Sequence, residues 1–123
     1  MNNPRRALVV DDNATNRFLA KALLTRIGWT VSTVDSGDAA LVLLRNESFP
    51  LVLLDISMPG LSGEEVCIAL RKLPGGNAAR VVAYTAHAFA EERERFLAAG
   101  FDDILVKPVT LQSMLATLGE QAE

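Results

Sequence analysis

The residues of this 123-residue chain best able to do chemistry stand at the ends of short apolar runs. Asp55 ends the run Leu51-Val52-Leu53-Leu54, and Pro59-Gly60 turns the chain soon after. Asp11 and Asp12 end the run Ala7 to Val10, Thr85 closes Arg80 to Tyr84, and Lys107 follows Ile104 to Val106. Gathered together, three carboxylates within about 4–6 Å repel by up to ~4 kcal/mol per pair at an effective dielectric of about 20. Such a cluster either raises a pKa or holds cations. An all-oxygen set suits Mg²⁺, which takes one or two carboxylates and leaves positions for a phosphoryl oxygen. Lys107 adds a point charge able to pair with Asp55 or with a ligand oxygen. The Thr85 hydroxyl can donate to an added anionic oxygen. A carboxylate beside Mg²⁺, an ammonium and a hydroxyl donor makes a site for phosphoryl transfer onto the carboxylate itself. The positive groups offset charge on the transferring oxygens.

The elements that must position these groups follow from the hydrophobic pattern. Four aliphatic residues before Asp55, bounded by turn signals, predict a strand buried on both faces at the centre of a parallel sheet. Asp55 then lies at the carboxyl end of the strand, the edge where open α/β sheets place their chemistry. Strands are predicted at Ala7–Val10, Thr30–Val34, Leu51–Asp55, Arg80–Tyr84 and Ile104–Val106. From Thr15, apolar residues at Leu19, Ala20, Leu23, Leu24 and Ile27 have helical spacing, and Gly28 stops the helix. Ser36-Gly37-Asp38 opens a second helix running to about Arg45, with Ala40, Leu41 and Leu44 inward. Ser62 with Glu65 forms a capping box for a third, with Val66, Leu70 and Leu73 inward. A fourth runs from about Ala88 to Ala99 and stops at Gly100, and the last covers Leu111 to Leu118. Five strands alternating with five helices predict an α/β domain with an all-parallel sheet covered on both faces. Right-handed crossovers bring all the strand-to-helix loops, and so Asp11, Asp12, Asp55, Thr85 and Lys107, to one rim.

Composition narrows the classes. The length fits a single domain over residues 1–123. A net charge of −3 argues against a nucleic-acid surface as the main partner. No run of about 18 apolar residues exists, so no membrane span is expected. The N-terminus lacks the apolar core of a signal peptide. Cys67, the single cysteine, suits a reducing compartment and is read as a small core hydrophobe. A cytoplasmic location is expected.

Taken together, Val9-Val10-Asp11-Asp12-Asn13, Leu54-Asp55-Ile56-Ser57-Met58-Pro59-Gly60, Tyr84-Thr85-Ala86 and Lys107-Pro108 resemble a receiver domain of the two-component response-regulator family. Each piece alone is weak, but the set in this order and spacing is specific, and it covers Ala7 to Leu118. The resemblance implies a flavodoxin-like sheet of order 2-1-3-4-5 and Asp55 as acceptor of a phosphoryl group from a histidine kinase or a histidine phosphotransfer domain. It implies Mg²⁺ held by the side chains of Asp12 and Asp55 and the backbone carbonyl of Ser57, with Asp11 acting mostly through water. It further implies Lys107 on the phosphoryl group, a cis Lys107-Pro108 peptide, and Thr85 moving inward as a switch. Asp11-Asp12-Asn13-Ala14-Thr15-Asn16-Arg17, Thr85-Ala86-His87-Ala88-Phe89 and Ala98-Ala99-Gly100-Phe101-Asp102-Asp103 are similar to receivers of hybrid sensor kinases, which relay phosphate between histidines. The chain carries no kinase core and no DNA-binding domain, so it is read as a stand-alone receiver or one cut from a larger protein.

Three residues modulate this reading. Ile104 stands where the family usually places an aromatic switch residue, three before the lysine, and it has neither a ring to flip nor a hydroxyl. His87, the only histidine, is read as a solvated helix-start residue that tunes dephosphorylation and makes it pH-sensitive near neutrality. Phe18 falls on the outer face of the first helix, one turn from Ala14 and Ala22 and beside Arg17 and Lys21. That patch suits docking of a helical phosphodonor, while Asn16 falls inward near Asp12.

Single features have blander readings: an Asp or Thr after a strand is commonly a helix cap. The joint presence of Asp11, Asp12, Asp55 and Lys107 outweighs them. A haloacid-dehalogenase-type phosphatase needs a second acid two residues after the nucleophile, where this chain has Ser57. A dinucleotide-binding loop needs glycines after the first strand, and Asp11 to Arg17 has none. A degenerate receiver serving as a phosphorylation-independent interaction module would have lost one of the site residues. The expected role is therefore a signalling phosphoacceptor that catalyses only its own phosphorylation and dephosphorylation.

Overall fold

The computed structural model describes residues 5–86 and 89–118. Ten elements alternate: β1 (Arg6–Val10), α1 (Ala14–Arg26), β2 (Thr30–Val34), α2 (Gly37–Asn46), β3 (Leu51–Asp55), α3 (Gly63–Arg71), β4 (Arg80–Thr85), α4 (Ala90–Ala99), β5 (Asp103–Val106) and α5 (Leu111–Leu118). The sheet is parallel throughout, in the order β2-β1-β3-β4-β5. Central β3 is buried at all five positions, as its unbroken aliphatic run requires, whereas edge strand β2 is exposed or half-buried along its length.

Side-chain alternation along the strands sorts the core into two layers. Leu8, Val10, Val52, Leu54, Val81, Ala83 and Ile104 face Leu41 and Leu44 of α2, Val66 and Leu70 of α3, and Phe96 of α4. Ala7, Val9, Leu51, Leu53, Val82, Tyr84 and Leu105 face Ala20 and Leu24 of α1 and Met114 of α5. Each fully buried Leu or Val contributes about 1.5–3 kcal/mol relative to exposure. Cys67 is fully buried, and burial chiefly pushes its thiol up to about 11, so it stays protonated and inert.

Local chemistry sets the ends of the elements. Ser36 accepts from the Ala39 N–H, and Ser62 and Glu65 form the reciprocal capping box. Gly100, at φ 113°, terminates α4. Gly63 is required by close approach: a Cβ there would stand 2.3 Å from the Asp55 carbonyl oxygen. Only a residue without a side chain lets α3 start against the end of β3. Arg71, at the end of α3, donates to the carbonyls of Gly76, Ala79 and Gly100 and pairs with Asp102 at 2.8 Å. It ties the ends of α3 and α4 to the entrance of β4.

The differences from the predicted boundaries are small but physical. β1 begins at Arg6, β5 at Asp103, and β4 continues through Thr85. Thr85 is therefore the last strand residue, and Phe89 stands at the N-cap of α4. Asn13, rather than either aspartate, caps α1 by accepting from the Asn16 N–H at 2.9 Å. α3 ends at Arg71, leaving Leu73 past the helix and half-buried against the core. α4 begins at Ala90, because Phe89 is extended (φ −69°, ψ 157°); the predicted start at Ala88 lies outside the described residues. Among the described residues no helix is long and apolar enough to cross a membrane.

Candidate functional site

The parallel register brings the strand ends level. Val10 pairs with Leu54, Asp55 with Tyr84, and Thr85 with Val106, so the residues just beyond them share one rim. Among the described residues, Asp11, Asp55 and Thr85 are the buried polar ones, and Asp12 beside them is exposed. Carboxylate oxygens of Asp11, Asp12 and Asp55 all lie within 4.8 Å of one another.

The two buried carboxylates, of Asp11 and Asp55, are each held by hydrogen bonds. Asp11 Oδ1 accepts from the Asn13 N–H at 2.9 Å, and the Arg17 guanidinium of α1 donates to the Asp11 carbonyl at 2.8 Å. Asp55 Oδ1 accepts from Lys107 Nζ at 3.0 Å and, at 3.3 Å, from the Ser57 N–H. Lys107 also faces Asp11 Oδ2 at 3.4 Å, so one ammonium bridges two buried carboxylates. Its backbone is fixed as well: the Lys107 N–H donates to the Thr85 carbonyl at 2.8 Å, and the Lys107-Pro108 peptide is cis.

Electrostatics follow from this packing. Burial, the largest influence, raises the Asp55 pKa from 3.8 to about 6, and Asp11 adds repulsion. Lys107 and the Ser57 N–H pull the other way. Asp55 is thus ionised at neutral pH, but at a cost in folding free energy. Burial and the two aspartates push the neighbouring Tyr84 phenol up to about 12, so it is neutral.

The donor set fits a hard divalent cation. Asp11 Oδ2 is buried without a hydrogen bond, its nearest compensation being the charge of Lys107. A buried carboxylate oxygen in that condition is costly unless a cation completes it. Two buried carboxylates and one exposed one, all offering oxygen, match the preferences of Mg²⁺.

The structure brings together Asp11, Asp12, Asp55 and Lys107, sets Thr85 on the same rim, and places the Ser57 backbone against Asp55. Ile104 is 9 % exposed on the α4 side of the sheet, packed in the core. His87 lies outside the described residues. Asn16 is half-buried, as its inward placement requires. Residue pattern alone missed the Arg17 clamp on the Asp11 carbonyl and Tyr84, whose ring centroid lies 4.7 Å from Lys107 Nζ. The available signal for Tyr84 was strand alternation, which puts it on the same face as Leu105 and, two residues on, Lys107. An apolar cleft of about 320 Å³, lined by Leu44, Phe49, Leu70 and Leu73 among others, opens where β3 and β4 begin, at the opposite edge from this rim.

Comparison with known proteins accords with this geometry. Residues 7–119 match the response regulator receiver domain family. The sensor histidine kinase GacS of Pseudomonas protegens is 42 % identical over 108 residues, covering 85 % of this chain and 12 % of that protein. The virulence sensor protein BvgS of Bordetella pertussis is 39 % identical over 120 residues, covering 94 % of this chain and 10 % of that one. The chain therefore spans only about a tenth of the length of these curated relatives. Among solved structures, Vibrio cholerae chemotaxis protein CheY4 superposes with a TM-score of 0.88 at 27 % identity, covering 93 % of this chain and 95 % of that one. The receiver domain of sensor histidine kinase PA1611 from Pseudomonas aeruginosa, solved with magnesium in its active-site cleft, gives 0.83 at 28 % identity, covering 94 % and 98 %. With five parallel strands in the order 2-1-3-4-5 and an acidic rim bridged by one lysine, the chain belongs to the response regulator receiver domain family of two-component and phosphorelay signalling.

Proposed function

We propose that Asp55 accepts a phosphoryl group from a phosphohistidine, with Mg²⁺ as cofactor and with Lys107 and Thr85 as its charge partner and hydroxyl donor. The observation that carries this reading is the single ammonium shared by two buried carboxylates, Asp55 at 3.0 Å and Asp11 at 3.4 Å. Asp11 and Asp12 with Asp55 and the Ser57 carbonyl would hold the cation, whose contribution is to neutralise charge on the phosphoryl oxygens.

The chain's own groups supply the rest. Asp55, raised to about 6 chiefly by burial, is mostly ionised at pH 7 and available as a nucleophile. Its oxygen bonds to phosphorus as the P–N bond to the donor imidazole breaks, and the imidazole leaves with the electron pair. The product carries more negative oxygen, toward which Lys107 Nζ can shift from its contact with Asp55. Thr85, on β4 beside Lys107, offers its hydroxyl to the same oxygens, and its inward movement makes the switch. The expected result is incorporation of one phosphoryl group on incubation with acetyl phosphate and Mg²⁺, and none with the metal chelated. Incorporation that ignores chelation would overturn the metal role.

The donor is a histidine kinase's phosphotransfer helices or a histidine phosphotransfer domain, docking beside the rim on α1. Phe18 is 76 % exposed there, with Ala14 and Ala22 also exposed. Of the two flanking cations, Lys21 is exposed, whereas Arg17 is half-buried and engaged with Asp11. Phe18→Ala should slow transfer from the cognate donor by about tenfold or more, as loss of an aromatic anchor does. Acetyl phosphate labelling and the melting temperature should stay unchanged. An unaltered transfer rate would remove α1 from the docking surface.

A further inference from the structure

Lys107 Nζ has a third neighbour besides its two carboxylates, the face of the Tyr84 ring, whose centroid is 4.7 Å away. Tyr84 pairs with Asp55 on one side and Leu105 on the other, and is fully buried in the layer under α1 and α5. Its hydroxyl is buried without a hydrogen-bond partner among the described residues. A buried tyrosine usually satisfies that oxygen. Here the part of the side chain that meets a polar group is the ring.

A lysine is a poor candidate for holding its own position, because its stem is flexible and its three donors rotate freely. Asp11 and Asp55 hold it only while both face it, and both belong to the set that would engage a divalent cation. An aromatic face attracts an ammonium through its quadrupole, and neither a cation nor a phosphoryl group competes for that contact. The attraction is strongest when the pair is shielded from water, as beneath this rim.

We infer that Tyr84 is a positioning residue: its ring face seats the Lys107 ammonium over the rim, so that it stays placed when Asp11 and Asp55 turn to other ligands. The inference rests on the reading of Asp55 as phosphoacceptor and of Lys107 as its charge partner. It concerns the ring and not the hydroxyl, so Phe should serve as well as Tyr at this position.

The test uses Tyr84→Phe, Tyr84→Leu and pentafluorophenylalanine introduced at position 84, which keeps the ring's shape but reverses its quadrupole. In the protein without metal or phosphodonor, the Lys107 ε-methylene protons should show an upfield ring-current shift that Tyr84→Phe keeps and Tyr84→Leu loses. With acetyl phosphate and Mg²⁺, Tyr84→Phe should match the parent, while Tyr84→Leu and the fluorinated ring should label about three- to thirtyfold more slowly. In a Lys107→Met background the Tyr84 changes should have no further effect, because the seat then has no occupant. If Tyr84→Leu does not fold, the fluorinated ring carries the comparison. The inference is overturned if the ring-current shift is absent in the parent, if the fluorinated ring labels at the parent rate, or if Tyr84 changes slow labelling equally without Lys107. Failure of the parent to label at all, with the ring-current shift intact, would instead count against Asp55 as acceptor.

Discussion

An Asp55→Asn variant is expected to unfold at a higher temperature than the parent at pH 7.5, with the advantage disappearing in acid. The folded protein holds the Asp55 proton up to about pH 6, whereas an unperturbed aspartate loses it near 3.8. Below the lower value both states are protonated and the residue costs nothing. Between the two, the unfolded chain releases its proton first, so stability falls as pH rises; above about 6 the full cost remains. That interval corresponds to about 3 kcal/mol. Asparagine cannot ionise but still offers one oxygen to Lys107, so part of the pairing is lost and the net gain is about 1–2 kcal/mol. A rise in melting temperature on the order of 5 °C at pH 7.5 follows, shrinking to nothing by about pH 4. Melting curves of the two proteins without divalent metal, across this range, provide the check. A gain that persists undiminished in acid would show that burial of the charge is not its source.

The second large effect concerns Lys107→Ala. Removing the ammonium leaves Asp11 and Asp55 facing each other with no positive charge between them. Breaking a buried pair this way would cost about 3–5 kcal/mol if both charges stayed. Asp55, already raised to about 6, can instead take up a proton and relieve most of the repulsion. The fold should therefore survive, with the Asp55 titration moved further up. Phosphorylation should suffer more, because the acceptor is less ionised and the developing phosphoryl charge loses a donor. A fall of about 10²-fold at pH 7 is expected, comparable to removal of one preorganised donor from an oxyanion site. Part of it should be recovered at higher pH as Asp55 ionises. Time courses of acetyl phosphate labelling at several pH values measure both. Unchanged labelling and unchanged readout together would contradict the role given to Lys107.

Much of this arrangement was legible in the residues because local and global signals agree. The aliphatic run into Asp55 gave the central strand at its observed bounds, Leu51–Asp55, and the Ser62–Glu65 box gave the start of α3. Strand ends followed by acids, a threonine and a lysine identified the rim, since parallel topology leaves those loops nowhere else to go. What was not legible depends on competition between neighbours or on contacts distant in sequence. Asp11, Asp12 and Asn13 can each cap a helix; Asn13 takes that part because Asp11 turns back to accept from the Asn13 N–H. Ala88-Phe89-Ala90 has no helix breaker, yet Phe89 is extended, and Glu92 of the first turn of α4 accepts from its N–H. Helix propensity carries no information about that end. The pairing of Lys107 with Tyr84 joins a residue of β4 to the one just past the end of β5 and needs the register to be known.

Ile104 narrows how phosphorylation is reported. Its aliphatic side chain belongs to the core layer that holds Ala83, Phe96 and Phe101 on the α4 side of the sheet, and the buried aromatic of the site, Tyr84, lies on the opposite face. A ring moving between β5 and α4 is therefore not available to this chain at that position.

The most direct measurement of the central claim is chemical trapping of the acceptor. The protein is labelled with acetyl phosphate and Mg²⁺, reduced with borohydride, which converts an aspartyl phosphate to homoserine, and sequenced by mass spectrometry. Homoserine is expected at position 55 in the parent and nowhere in the Asp55→Asn variant. Homoserine at Asp11 or Asp12, or an Asp55→Asn protein that still labels like the parent, would contradict it.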